Sequence, residues 1–496
     1  MEITTLKSRI ASGVFWIGLT KILGQTISWL ITIFVVRILT PEDYGLMGMA
    51  VLFTSLLQLF NELGLGTAIV QKENISQEEL SSIHWAIIII NACIYLFVVI
   101  FSPVISNFFS EPKLTSLIQI LGISFLINAF GLTSSYMLMK NLSFKKRSQA
   151  ELFGNILGAI STFLFAINNF GVWSLVYGYL IQETIKNIFY ILYCNNNILY
   201  KFSFNNIKKM ILFGLKIMFS RILWYISSNA DFMIAGKYLG KTLFGYYTLA
   251  FQFASIPIDK IVTIVTQVAL PSFSEIQDDL ASLQRYYLKM VNIIAFVTFP
   301  LFLGLFLVAD SGVILFLTEK WRPMIIPMKI LCIVSCLRAI GTLNAPLVVA
   351  KGKPNILLAN CLLQAIILPY AFYLGAKFGL NGLSFAWLLT YPFLHLIITF
   401  QTLQLLQVSF WQYVKEMKHG IFGTAIMVLV CTVVKYGLLL GKTNTVNFFV
   451  ITCAGMTIYL LYSVLFNREI ISEVVGIIKS RNKLPDQIRT VAHVSS

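Results

Sequence analysis

Charge is what this 496-residue chain has least of. Only 12% of its residues are Asp, Glu, Lys or Arg, against about 25% in an ordinary soluble domain. Hydrophobic residues make up 57%. A chain so poor in charge cannot cover its surface against water, which excludes a string of soluble domains and calls for lipid as solvent. Histidine is scarcer still, at four residues. The seven cysteines sit in or beside apolar runs, and the one close pair, Cys332 and Cys336, has no His or further Cys near it to complete a metal site. They read as small packing hydrophobes, and no metal or cofactor is expected. Long polar connections are missing too, which leaves no room for a soluble catalytic domain. Two strings, GKYLGKT (236–242) and GLLLGKT (437–443), fall one residue short of a phosphate-binding loop and follow no strand. ATP hydrolysis by this chain is therefore not expected.

What is present is one kind of element, repeated. Apolar stretches of spanning length recur at about 10–36, 45–70, 81–103, 114–138, 150–169, 172–194, 210–235, 245–270, 289–309, 326–350, 355–375, 380–407, 420–438 and 446–466. The fold class they predict is an all-α membrane protein with 14 transmembrane helices. The first run, 13–36, is too long for a signal-peptide core and lacks a small-residue cleavage site. The net charge is +16, but the cations are dispersed among short loops rather than gathered in a domain, which argues against nucleic acid as a partner. Alternate connections divide them unevenly, with 21 Lys and Arg on the side of the N-terminus and 8 on the other. The positive-inside bias then puts both termini in the cytoplasm. The tail from 467 carries Ile470, Ile471, Val474, Val475 and Ile478, an amphipathic pattern suited to the membrane surface.

The chain also repeats itself. RILTPEDYGLMGMAVLF (37–53) matches KYLGKTLFGYYTLAFQF (237–253) at Leu39/Leu239, Gly45/Gly245, Ala50/Ala250 and Phe53/Phe253. ILGISFLINAFG (120–131) aligns with ILCIVSCLRAIG (330–341), and FGVWSLVYG (170–178) with FGLNGLSFA (378–386). The three offsets, 200, 210 and 208, agree and keep their order. An even number of spans per repeat makes the copies parallel, a known transporter plan with the substrate between the halves. The expected domains are an N-terminal lobe at 1–200, a C-terminal lobe at 201–410, two extra helices at 411–466 and a tail at 467–496.

Intramembrane charges are functional candidates by default, because a bilayer penalises them. Lys21, Gln25 and Ser28 form a polar stripe in the first span, and Arg221, Tyr225 and Ser228 stand 200 residues later in the seventh. Each half thus offers a cation from its first helix, and Arg338 is a third candidate contact. Cations of this kind suit an anionic group of a substrate, Lys as a point charge and Arg as a bidentate fork. Intramembrane acids that could pair with them, or couple transport to an ion, are Glu62, Glu183, Asp231 and Asp259. Lys186, three residues after Glu183, is set to neutralise it.

RILTPEDYGLMGMA, followed by NELGLGTAIVQKENIS (61–76), resembles the N-terminal signature of the polysaccharide transport family. These are flippases of lipid-linked oligosaccharides within the superfamily that also holds multidrug extruders and lipid II flippases. The resemblance implies movement of an undecaprenyl-diphosphate-linked repeat unit from cytoplasm to periplasm across the bacterial inner membrane. It also implies polysaccharide polymerase and glycosyltransferases as partners in the same process, and membrane lipid as surroundings. A cation-coupled drug exporter would call for an acidic cavity. A membrane polymerase or ligase would call for a large periplasmic loop, and none is visible.

Overall fold

The computed structural model describes residues 24, 26–61, 64–72, 75–194, 222, 225–439 and 441–467. Every regular element in them is helical. In chain order they are α1 (Thr26–Ile38), α2 (Pro41–Gln58), α3 (Leu65–Gln71), α4 (Gln77–Phe109), α5 (Lys113–Lys140), α6 (Phe144–Ile167), α7 (Val172–Cys194), α8 (Ala230–Pro257), α9 (Thr263–Glu275), α10 (Leu280–Leu317), α11 (Ile325–Gly341), α12 (Asn344–Ala350), α13 (Pro354–Ala376), α14 (Gly379–Leu406), α15 (Phe410–Glu416), α16 (Lys418–Gly437) and α17 (Asn444–Phe466).

Among the described residues nine helices are long and apolar enough to cross a membrane, or ten if the bent segment from Ala230 to Glu275 counts as one span. The protein is an all-α membrane protein. Large side chains such as Ile366, Phe393 and Phe378 are 70–81% exposed, a surface that only lipid tolerates in such quantity. The expected second span, 45–70, is interrupted: α2 stops at Gln58, and Gly64, at φ 75°, lies between it and α3. The expected sixth span, 172–194, matches α7 end to end. It is not among the nine, because Gln182, Glu183, Lys186 and Asn187 lower its hydropathy.

The described residues form two compact units, one through Gly245 and one from Tyr246. In the first, α5 packs on α4 and α7, and α6 lies along α7. In the second, α10 packs on α11, α16 and α17, while α13 pairs with α14, which also packs on α11. Asp310 of α10 joins three helices here. It accepts from Lys329 of α11 and from Lys435 of α16, each at 2.7 Å.

The first unit explains the repeated motif. Its first copy is a helix start. Thr40 caps α2, accepting from the Asp43 amide while the Asp43 carboxylate accepts from the Thr40 amide at 2.9 Å, and Pro41 holds the first helical position. In the second copy Gly240 stands at the place of Thr40 and turns α8 with φ 73° and ψ 170°, so a helical segment restarts at Lys241. A Cβ on Gly45 would overlap the carbonyl of Lys241, and a Cβ on Gly245 would overlap the carbonyl of Pro41. The two contacts are related by the same 200-residue offset. Each copy's glycine lets in the first turn of the other copy's helix, and both must lack a side chain for the backbones to meet. Lys241 adds ion pairs to Glu42 at 3.6 Å and Glu111 at 3.4 Å.

Candidate functional site

In the first unit, α5, α6 and α7 line an open cavity of about 370 Å³. Three stripes line it, each at four-residue helical spacing and polar except at Leu132. Arg147, Glu151 and Asn155 come from α6, Gln182, Lys186 and Tyr190 from α7, and Asn128, Leu132 and Tyr136 from α5. The α6–α7 pair approaches closely through Gly154, Gly158 and Gly178, which brings the two charged stripes face to face.

Most of the lining is hydrogen-bonded. Gln182 Nε2 donates to Asn155 Oδ1 at 2.9 Å, and Asn187 Nδ2 donates to Asn128 Oδ1 at 2.7 Å and to the Glu183 carbonyl at 2.8 Å. Lys186 Nζ reaches both Glu183 oxygens at 2.6 Å, and the Glu183 side chain is only 7% exposed. The expected neutralisation of Glu183 by Lys186 is therefore present. Tyr190 donates to Glu151 at 3.3 Å. Arg147 Nε lies 3.3 Å from the same carboxylate, an ion pair whose geometry leaves the Nε–H buried without a hydrogen-bond acceptor. Two cations and two carboxylates make the cavity neutral and strongly polar.

The second unit holds a different arrangement around Arg338 of α11. Its guanidinium lies over Phe251 at 4.8 Å and Trp387 at 5.4 Å from the ring centroids, within cation–π range. Trp387 Nε1 donates to the Tyr247 hydroxyl at 3.0 Å, and Tyr391 stacks on His395 at 6.0 Å. Asp259 is exposed on a π-helical turn, Ile258–Val262, within electrostatic reach of Arg338.

The other sequence-predicted residues are not gathered into these clusters. Tyr225 is half-buried and braces α2, its hydroxyl donating to the Leu52 carbonyl at 2.7 Å. Ser28 is half-buried in α1, its carbonyl accepting from Thr32 at 2.7 Å, and Ser228 is exposed. Asp231 is fully buried at the start of α8. Lys21, Gln25, Glu62 and Arg221 lie outside the described residues. Sequence reasoning found Glu183 and Lys186 but missed Asn128, Arg147, Asn155, Gln182 and Asn187. The four-residue recurrence of polar side chains within α6 and α7 marks Asn155, Gln182 and Asn187, while Asn128 on α5 has no such signal.

A family model described as polysaccharide biosynthesis protein matches residues 34–326, more than half of the chain. The chain belongs to the polysaccharide transport family. As a member of that family it is a multi-pass membrane transporter of the flippase type, working in polysaccharide biosynthesis rather than as an enzyme. It is 28% identical over 391 residues to a Klebsiella pneumoniae protein described as an uncharacterized membrane protein in the cps region, covering 78% of this chain and 80% of that one. It is 30% identical over 303 residues to the teichuronic acid biosynthesis protein TuaB of Bacillus subtilis, covering 60% of this chain and 62% of TuaB. Among solved structures, the lipid II flippase MurJ in an inward closed conformation superposes with a TM-score of 0.75 at 17% identity, over 92% of this chain and 99% of MurJ. That likeness is one of fold.

Proposed function

We propose that this protein moves an undecaprenyl-diphosphate-linked oligosaccharide repeat unit from the cytoplasmic to the periplasmic leaflet of the bacterial inner membrane, by alternating access of two six-helix lobes. The observation that carries this reading is the family match, which spans both copies of the duplicated motif. Two duplicated lobes, 1–200 and 201–410, with 14 spans and cytoplasmic termini, accord with the offsets and with the bias of Lys and Arg. The names of relatives from the cps region and from teichuronic acid synthesis point to a surface glycan as cargo. Glycosyltransferases would supply the lipid-linked unit, and a polymerase would consume it.

In this reading Lys21 and Arg221 hold the diphosphate, helped by Gln25, Ser28, Tyr225, Ser228 and Arg338. The sugar occupies a watery path and the prenyl tail stays in lipid. Losing one charge-assisted phosphate contact costs a few kcal/mol. In a flippase-null cell, Lys21→Ala and Arg221→Ala should each lower surface polysaccharide at least tenfold at normal membrane level. Lys21→Arg should keep most export, and Arg221→Lys should be intermediate because the fork is lost while the charge survives. Normal export by the double alanine variant removes the diphosphate clamp. Failure of the wild-type chain to restore any surface polysaccharide removes the flippase reading itself.

A further inference from the structure

The cavity among α5, α6 and α7 carries chemistry that a diphosphate clamp does not use. Its volume, about 370 Å³, lies at the small end of ligand pockets, which run from roughly 300 to 1,000 Å³ and are usually lined by apolar groups. This one is the opposite: of its lining residues only Leu132 is aliphatic. A metal ion or other small cation is opposed by Lys186 and Arg147 in the wall. Among the described residues no group of three His, Cys, Asp or Glu gathers to hold a metal. A dianion is opposed for a different reason, since each cation already faces a carboxylate.

What remains is a neutral ligand rich in hydroxyls. Beyond the bonds they already make, Asn128, Asn155 and Gln182 each keep an N–H donor and an acceptor lone pair on one planar group, the pattern that matches neighbouring hydroxyls on a pyranose, while both N–H groups of Asn187 are spent on holding Asn128 and the Glu183 carbonyl. Tyr136 and Tyr190 supply ring faces for its C–H surface. Lys186, held by Glu183, and Arg147, held by Glu151, complete the polar wall without leaving a net charge on it.

We propose that this cavity is a saccharide subsite, seating a mono- or disaccharide by amide and tyrosine contacts and separate from any diphosphate clamp. That the sugar is part of the carried glycan rests on the flippase reading; the sugar chemistry of the cavity does not.

The test uses the full-length protein in lipid nanodiscs with free glucose, galactose, N-acetylglucosamine and maltose at millimolar concentration. Binding is read by saturation-transfer NMR. At least one sugar should give saturable transfer. Leu132→Trp, which fills the cavity without removing a polar group, and Asn155→Leu, which removes one without filling it, should each weaken that transfer at least tenfold. Phe393→Leu, on an exposed part of α14, should keep it. Should either variant fail to reach the membrane, Asn155→Ser makes the same comparison. No saturable transfer from any of the four sugars, or transfer unchanged by the cavity variants, overturns the subsite. Surface polysaccharide in a flippase-null cell then identifies the source of the sugar. Export cut at least fivefold by Leu132→Trp means that the cavity handles the carried glycan. Full export with lost transfer means that it binds a free saccharide. If the wild-type chain restores no export, the flippase reading falls, and the NMR result still decides the cavity.

Discussion

Asn128 and Arg338 occupy the same place in the duplicated sequence, and so do Asn187 and His395. Their surroundings have diverged. In the first unit Asn128 and Asn187 are joined at 2.7 Å on the wall of an open polar cavity. In the second, Arg338 is laid against Phe251 and Trp387, and Tyr391 fills the space beside His395. One feature is kept in both: the glycine three residues after the first member, Gly131 or Gly341, sits under the second member's side chain. At both offsets a glycine permits the close approach of helices, which backbone geometry demands. The side chains around that approach form a cavity in one unit and an aromatic cluster in the other. The ion pair Glu183–Lys186 marks the divergence most clearly, since the matching positions in the second unit are Tyr391 and Leu394.

That comparison breaks hardest at the ion pair. Lys186→Met strands the Glu183 carboxylate, whose side chain is 7% exposed, and should destabilise the protein by about 3–5 kcal/mol. The measurement is the unfolding midpoint in detergent. Glu183→Tyr/Lys186→Leu, which writes the second unit's residues into the first, should recover most of that loss while abolishing the cavity. A double variant no more stable than Lys186→Met would show that the pair does more than neutralise charge.

The shared glycines give a smaller and more selective effect. A Cβ at position 131 overlaps the Asn187 amide and forces it off Asn128, so Gly131→Ala should cost about 1–3 kcal/mol. At Gly341 the nearest atom is the edge of the His395 ring at 2.9 Å, and Gly341→Ala should cost less than its counterpart. Denaturant titration of the two variants side by side settles the order; equal or inverted costs would mean that the two approaches are not equivalent.

The smallest change concerns the aromatic site. Trp387→Phe removes the hydrogen bond to Tyr247 at 3.0 Å and shrinks the face under Arg338, which should lower stability by about 1 kcal/mol. Its effect on sugar binding in the first unit should be nil. Altered saturation transfer in Trp387→Phe would tie the two sites together.

Much of this was legible in the chain. Low charge dictated lipid as solvent, and apolar run lengths dictated helices, because a bilayer leaves the backbone no other open-ended way to satisfy its polar groups. The Thr40-Pro41-Glu42-Asp43 start and the FG pair at the starts of α7 and α14 are local signals, written in adjacent residues. So was the Glu183–Lys186 pair, three apart on one helix. The interruption after Gln58 was less visible, since Asn61 and Glu62 read as isolated polar residues inside an apolar run and only Gly64 is a backbone signal for the break.

By itself, then, the sequence determined the solvent, the element type, the helix starts and the duplication, all of which depend on residues close in the chain or on composition. Only the tertiary structure decided that Gly45 meets Lys241 while Gly245 meets Pro41, and that Arg147, Gln182 and Asn128 line one space. Those outcomes depend on how each helix is rotated about its axis and how closely its neighbours cross. Helical periodicity says which residues share a face. It does not say which face of which helix that face will meet, because the choice is made by packing among all of them at once.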